Sequence, residues 1–192
     1  MKETKIYLAG KISSRGWREE LIPIRDNFCG NEKSKIRNGY TLKYNDEITI
    51  VGPFFLSCDH SCYHGDNSHG VGLNKYYEDK NHTLFDCYGE TDVFTRKEVY
   101  NICIEQIKKS DIVFAYIDDT TCYGTLFELG YAASIGKDII ILYDYKFPSN
   151  DMWFINRAAK IFKHKNLKTT SVKEMFDKIV IPYIKNKNIR NK

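Results

Sequence analysis

The stretch Ser110–Tyr143, SDIVFAYIDDTTCYGTLFELGYAASIGKDIIILY, decides how the rest of the chain is read. Ile112 to Ile117 is an unbroken apolar run, β-branched and aromatic, with no alternation. Such a run suits a parallel strand covered on both faces. A polar loop follows, Asp118 to Gly124. From about Thr125 the spacing turns helical, with Leu126, Leu129, Gly130 and Ala133 on one apolar face. Gly130, Ala132 and Ala133 are small enough to let that helix lie close on a sheet. Gly136 fits a left-handed helix stop, and Ile139 to Tyr143 is a second buried run. Together they make a βαβ unit, expected to cross over right-handed.

Glu128 is the residue out of character. The spacing predicts it in the first turn of the helix, just past the carboxyl end of the strand, the edge where open parallel sheets bind ligands. The helix dipole there would keep the carboxylate ionised near neutral pH. An ionised carboxylate beside a cleft is a competent nucleophile toward a sugar carbon. The plainer alternative is an acid placed in a first turn for dipole reasons alone.

The wording around Glu128 carries a resemblance. Gly124 to Ala133, GTLFELGYAA, followed by Gly136-Lys137, resembles the signature of the nucleoside 2-deoxyribosyltransferase family. So does the opening Lys5 to Gly10, KIYLAG. The resemblance covers the first strand and the stretch from Arg96 to Tyr143. It implies that Glu128 attacks the anomeric carbon, as in that family and in the similar deoxynucleotide N-glycosidases, and that Tyr7 contacts the carboxylate. The family places Asp residues in the helix before the central strand and six positions before the nucleophile; Cys103 and Cys122 stand there instead. A thiol is a poor substitute for a carboxyl group in proton transfer. Asp119 is therefore taken as the acid, with Asp118 or a loop His as the other sources. Where the family usually has Pro after the first loop's Gly, Lys11 stands. Family active sites are often completed by a neighbouring subunit, so a homo-oligomer is expected.

Composition bounds the rest. A chain of 192 residues, 42% hydrophobic and 28% charged, is large enough for one globular domain with an ordinary core. One domain is expected over 1–192, with an inserted loop region at 54–90 and a flexible basic tail at 185–192. The net charge of +4 is partly carried by that tail, and no basic stripe with interleaved aromatics suggests polymeric nucleic acid. No secretory signal or membrane-length apolar run stands out, which points to a cytoplasmic protein without a membrane. The six cysteines, Cys29, Cys58, Cys62, Cys87, Cys103 and Cys122, then read as thiols or ligands rather than a disulfide framework.

Taken in order, Lys5 to Ala9 is a first buried strand, and Gly10 to Ser14 is its loop. Ser13 or Ser14 can cap a helix through Trp17, Leu21, Ile24, Arg25 and Phe28, with Pro23 as a break or kink. A short strand is expected within Tyr40 to Tyr44 and a core strand at Glu47 to Val51, stopped by Gly52-Pro53. The following loop holds Cys58, His60, Cys62, His64, Asn67 and His69. Three readings stay open for it: a metal site using Cys58, Cys62, His60 and His64, a substrate loop using His60, His64, Asn67 and His69, or a polar loop with incidental His. Thr91 or Thr95 can cap a helix carrying Val99, Ile102, Cys103 and Gln106-Ile107, ended by Lys108-Lys109. A helix is expected over Met152 to Phe162 and a short strand over Leu167 to Thr170. Ser171 caps a final helix that Pro182 ends or bends.

Four or five parallel strands alternating with helices predict an α/β, three-layer flavodoxin-like (Rossmann-like) sandwich, with the Cys/His insertion after the second strand. The catalytic set expected is Glu128, Tyr7 and Asp119. Gly10, Lys11, Asp118, Cys122, Gly124, Thr125 and Cys103 line the substrate, and Lys11, Arg15 and Arg18 are candidates for a phosphate. The activity expected is cleavage or transfer at the N-glycosidic bond of a small nucleoside or nucleotide, with no cofactor. The alternatives are an NAD-glycohydrolase of TIR type and a non-catalytic nucleotide-binding sensor.

Overall fold

The computed structural model describes residues 3–11, 17–22, 41–53 and 96–190. Their elements are β1 (Thr4–Ala9), α1 (Arg18–Leu21), β2 (Leu42–Lys43), β3 (Ile48–Gly52), α2 (Arg96–Lys109), β4 (Ile112–Ile117), α3 (Tyr123–Ser134) and β5 (Asp138–Tyr143). A 3-10 turn (Ser149–Met152), α4 (Trp153–Asn156), β6 (Ile161–His164) and α5 (Val172–Arg190) complete them. The chain falls into two compact units. One comprises 1–11, 42–51 and 107–192, and the other 12–41 and 52–106.

The first unit is built on a six-stranded sheet in the order β2-β3-β1-β4-β5-β6. The pairings β1–β4, β4–β5 and β5–β6 are parallel, and β2–β3 is antiparallel. This mostly parallel mixed sheet with helices is consistent with a Rossmann-like fold. It has more strands than the four or five expected. The chain leaves β1 for β3 on one side and comes back to β4 on the other, so β1 and β4 flank a topological switch point.

Every residue of β4 is buried, as its unbroken apolar run requires. Register fixes which side chains share a face. Leu8 lies beside Phe114, and Tyr7 beside Val113. Phe114 meets Phe176 of α5 edge to face at 5.0 Å, so α5 covers that side. Tyr7, one residue out of phase, reaches α3 on the opposite side. Helices therefore lie on both faces of the sheet. At the ribbon edge, Tyr44 packs on Phe176 and its hydroxyl donates to Asp177.

Several boundaries differ from expectation. The buried positions of α3 are Thr125, Leu129 and Ala132, not the face through Gly130, which is exposed. Gly136 does stop the helix, at φ 72°, and its N–H donates to Ala133 O at 3.1 Å. Lys137 Nζ then donates to the carbonyls of Lys108 and Ser110, tying off the end of α2. The helix expected over Met152 to Phe162 is only α4, and the last strand is β6, not Leu167 to Thr170. Ile161 to His164 complete the ladder beside Ile140 to Tyr143, which outweighs the helical spacing of Trp153, Ile155 and Ala158-Ala159. Ser171 caps α5, its Oγ accepting from Glu174 N–H at 2.9 Å. That helix passes Pro182 and runs to Arg190, so 185–190 continue an element rather than forming a tail.

In the second unit α1 ends at Leu21, well short of Phe28. Ile22 turns extended at φ −137° and ψ 120°, the bias of a residue before proline. Arg18 is 2% exposed and its guanidinium lies 4.5 Å from the Trp17 ring centre. Gly52, at φ +151°, admits Gln106 so closely that a Cβ there would stand 2.0 Å from Gln106 Oε1. The Gln106 side chain is buried, and among the described residues neither end of its amide has a hydrogen-bond partner.

Candidate active site

Tyr7 and Glu128 come together. The Tyr7 hydroxyl donates to Glu128 Oε1 at 2.5 Å. Tyr7 is fully buried, so its ring is fixed by the sheet, and Glu128 is half-buried. One part of the expectation is corrected. α3 begins at Tyr123, which puts Glu128 in the second turn, and the first turn holds no acid. The field of a helix terminus fades within the first turn. The tyrosine hydroxyl, rather than the dipole of the first turn, is therefore a polar group that holds this carboxylate.

Lys11 and Asp119 form a second contact. Lys11 follows β1 and Asp119 follows β4, so their ion pair, at 2.6 Å, spans the switch point. The Asp119 Oδ1 accepts from both the N–H and the hydroxyl of Thr121 at 2.7 Å, and Oδ2 accepts from Lys11. The Lys11 ammonium first, and the two Thr121 donors after it, hold the Asp119 carboxyl well below the usual carboxylate range. Asp119 is thus firmly ionised near neutral pH. It shapes the loop into α3, as acids after strands commonly do.

Its neighbour Asp118 is different. It is exposed as a residue, yet desolvation of its carboxyl raises its pKa, and the charges of Asp119 and Asp144 add to that. Cys122, immediately before α3, is 4% exposed. Burial pushes its thiol up, with the Asp119 and Asp118 charges in the same direction, so it stays a neutral thiol. Asp144 follows β5 and accepts from the Tyr116 hydroxyl at 2.7 Å. Burial alone would raise its pKa, but the Tyr116 hydroxyl, the Lys146 N–H and Lys165 outweigh it and hold the carboxyl low.

The other expected residues sort as follows. Gly10 ends β1 at φ 148° and is half-buried. Gly124 is exposed, whereas Thr125 is buried on the inner face of α3. Cys103 is half-buried in α2, in the second unit. Arg18, proposed for a phosphate, is buried against Trp17 and has no open face to offer. Arg15, His60, His64, Asn67, His69, Cys58 and Cys62 lie outside the described residues. Among the described residues, no group of His, Cys, Asp and Glu could hold a metal ion. Nor is any helix among them long and apolar enough to cross a membrane. Sequence reasoning missed the buried Gln106 amide, which has no hydrogen-bond partner among the described residues; its position on the apolar face of α2 was the available signal.

A parallel sheet with a tyrosine-bound carboxylate on one helix and charged loops at its switch point defines an enzyme-like α/β domain. Residues 75–167 match the family model described as Nucleoside 2-deoxyribosyltransferase. The match takes in β4, α3, β5 and β6, while β1, which supplies Tyr7, lies outside it. It indicates an enzyme of glycosyl transfer or hydrolysis, nucleoside deoxyribosyltransferase-like in general kind. No match was found among the curated proteins or the solved structures.

Proposed function

We propose that this protein cleaves or transfers at the N-glycosidic bond of a nucleoside, deoxynucleoside or nucleotide, with Glu128 as nucleophile. The observation that supports it most is the Tyr7 hydroxyl on Glu128 Oε1, which brings a residue of β1 onto a carboxylate inside the segment that matches the family model. Glu128 attacks the anomeric carbon, the carbon–nitrogen bond breaks, and its electron pair leaves with the base. The departing ring nitrogen takes a proton from an acid. Water, or a second base, then attacks the same carbon and releases the carboxylate.

The acid in this reading is Asp118. Its neutral form persists to higher pH than that of an ordinary carboxyl, whereas Asp119 is ionised and the Cys122 thiol is a poor donor. The substrate is a small molecule, handled in the cytoplasm without a cofactor, and a second copy of the chain completes the site.

The test is a mass-spectrometric search for released or exchanged base after incubation with mixed nucleosides and nucleotides. Glu128→Gln should abolish turnover by about a thousandfold or more while keeping the circular dichroism of the wild type. Full base release by that variant would remove Glu128 from the mechanism. Absence of any cleavage or exchange by the wild type would remove the reaction itself.

A further inference from the structure

A groove of about 440 Å³ lies between α4 and β6, lined by Trp153, Asn156, Arg157, Ala159 and Phe162. That volume is in the range of small-molecule sites, roughly 300–1,000 Å³. None of its lining residues belongs to the candidate active site. Two aromatic faces stand open there: Trp153 is 64% exposed and Phe162 49%. Large apolar rings left this exposed are the unusual feature of a surface.

The polar lining has one character. The Asn156 Oδ1 accepts from the Tyr143 hydroxyl at 2.6 Å, so what Asn156 retains for the groove is its amide N–H groups. Arg157 contributes a guanidinium that has no ion pair among the described residues, and Trp153 contributes an indole N–H. Side-chain donors therefore predominate over acceptors in the lining, and no carboxylate is among the lining residues. Flat walls favour a flat ligand, and unanswered donors with one cation favour a ligand rich in acceptors and negatively charged.

We infer that this groove binds a planar aromatic anion, its ring against Trp153 and Phe162 and its anionic group on Arg157 and the Asn156 amide. The inference does not depend on the proposed reaction at Glu128.

The chain has two tryptophans, Trp17 and Trp153, so the indole N–H resonances of ¹⁵N-labelled protein give a local readout. Trp153→Phe assigns the peak. Adenosine monophosphate and 2-naphthoate are the two anionic probes, with adenosine and inorganic phosphate as ring-only and charge-only controls. The expected result is a saturable shift of the Trp153 peak with a Kd of about 1 mM or tighter for at least one anionic probe. The Trp17 peak should stay still. Arg157→Ala, a change at an exposed side chain, should weaken that binding by about tenfold. A response to the monophosphate alone assigns a phosphate ligand, and one to naphthoate alone a carboxylate. The inference is overturned if neither anion moves the Trp153 peak at about 10 mM, if adenosine or phosphate alone moves it equally, or if Arg157→Ala binds as the wild type does. Repeating the titration on Glu128→Gln, which removes the proposed reaction and leaves the groove intact, lets the two proposals fail separately.

Discussion

The hydroxyl of Tyr7 donates to Oε1 of Glu128 at 2.5 Å, joining two residues that stand 121 positions apart in the chain. The sheet makes the contact rigid on one side, because Tyr7 is fully buried in β1. Removing the hydroxyl by Tyr7→Phe leaves the ring packed and takes that donor from the carboxylate. The loss of one such bond costs about 1–3 kcal/mol, so kcat for base release should fall by roughly 10- to 100-fold with KM little changed. A variant with wild-type kcat would show that Tyr7 does not position Glu128 for reaction.

Asp118 and Asp119 are neighbours in opposite electrostatic settings. If Asp118 donates the proton, its neutral form is the active one. Activity should then decline as pH rises through a pKa above the ordinary carboxylate value of 3.8. Asp118→Asn keeps the shape and removes the proton. Its kcat should drop by about 10²- to 10⁴-fold, and that limb of the pH–rate profile should vanish. A profile unchanged in shape would assign the limb to another group.

Asp119 offers a stability test. Its folded-state pKa lies below the ordinary 3.8. A depressed carboxyl contributes stability that is present above the unfolded pKa and is lost as pH falls through the folded one. Asp119→Asn retains an oxygen for Thr121 and loses the charge facing Lys11. The wild type should therefore melt slightly higher than this variant at neutral pH, the gap being small because the pair is exposed. The gap should close as pH drops below about 4. A gap that stayed constant to low pH, followed by calorimetry, would mean that the variant acts through packing instead.

The parts of this chain that could be read from its letters are those where one local preference had no rival. β1, β4 and β5 are continuous apolar runs, and Gly136 stands where a left-handed residue was needed. β6 could not be found that way. Ile161 to His164 lies at the sheet edge with no fully buried residue, so it carries no apolar run, and only the ladder beside β5 makes it a strand. The start of α3 was misplaced by two residues, which moved Glu128 out of the first turn. Pairing of Tyr7 with Glu128 came from the resemblance, since contacts across a sheet leave no mark in local spacing. The ion pair of Asp119 with Lys11 was equally hidden, because it joins two loops distant in sequence.

The end of α5 shows the same limit and gives the last prediction. Pro182 removes one helical N–H, but it sits on an exposed face where water can satisfy the freed carbonyl. The helix continues, burying Ile184 and bringing Lys187 onto Asp138 at the start of β5. Asp138 is only 14% exposed at its side chain, so the lysine answers a carboxylate with little access to water. Lys187→Met should cost about 1 kcal/mol. For a chain of this size that is a drop in Tm of roughly 2–4 °C. Truncation after Lys185 should lower Tm at least as far. If residues past 185 behaved as a solvated tail, both variants would melt with the wild type in a thermal scan, and the anchoring of α5 to the sheet through Lys187 would be refuted.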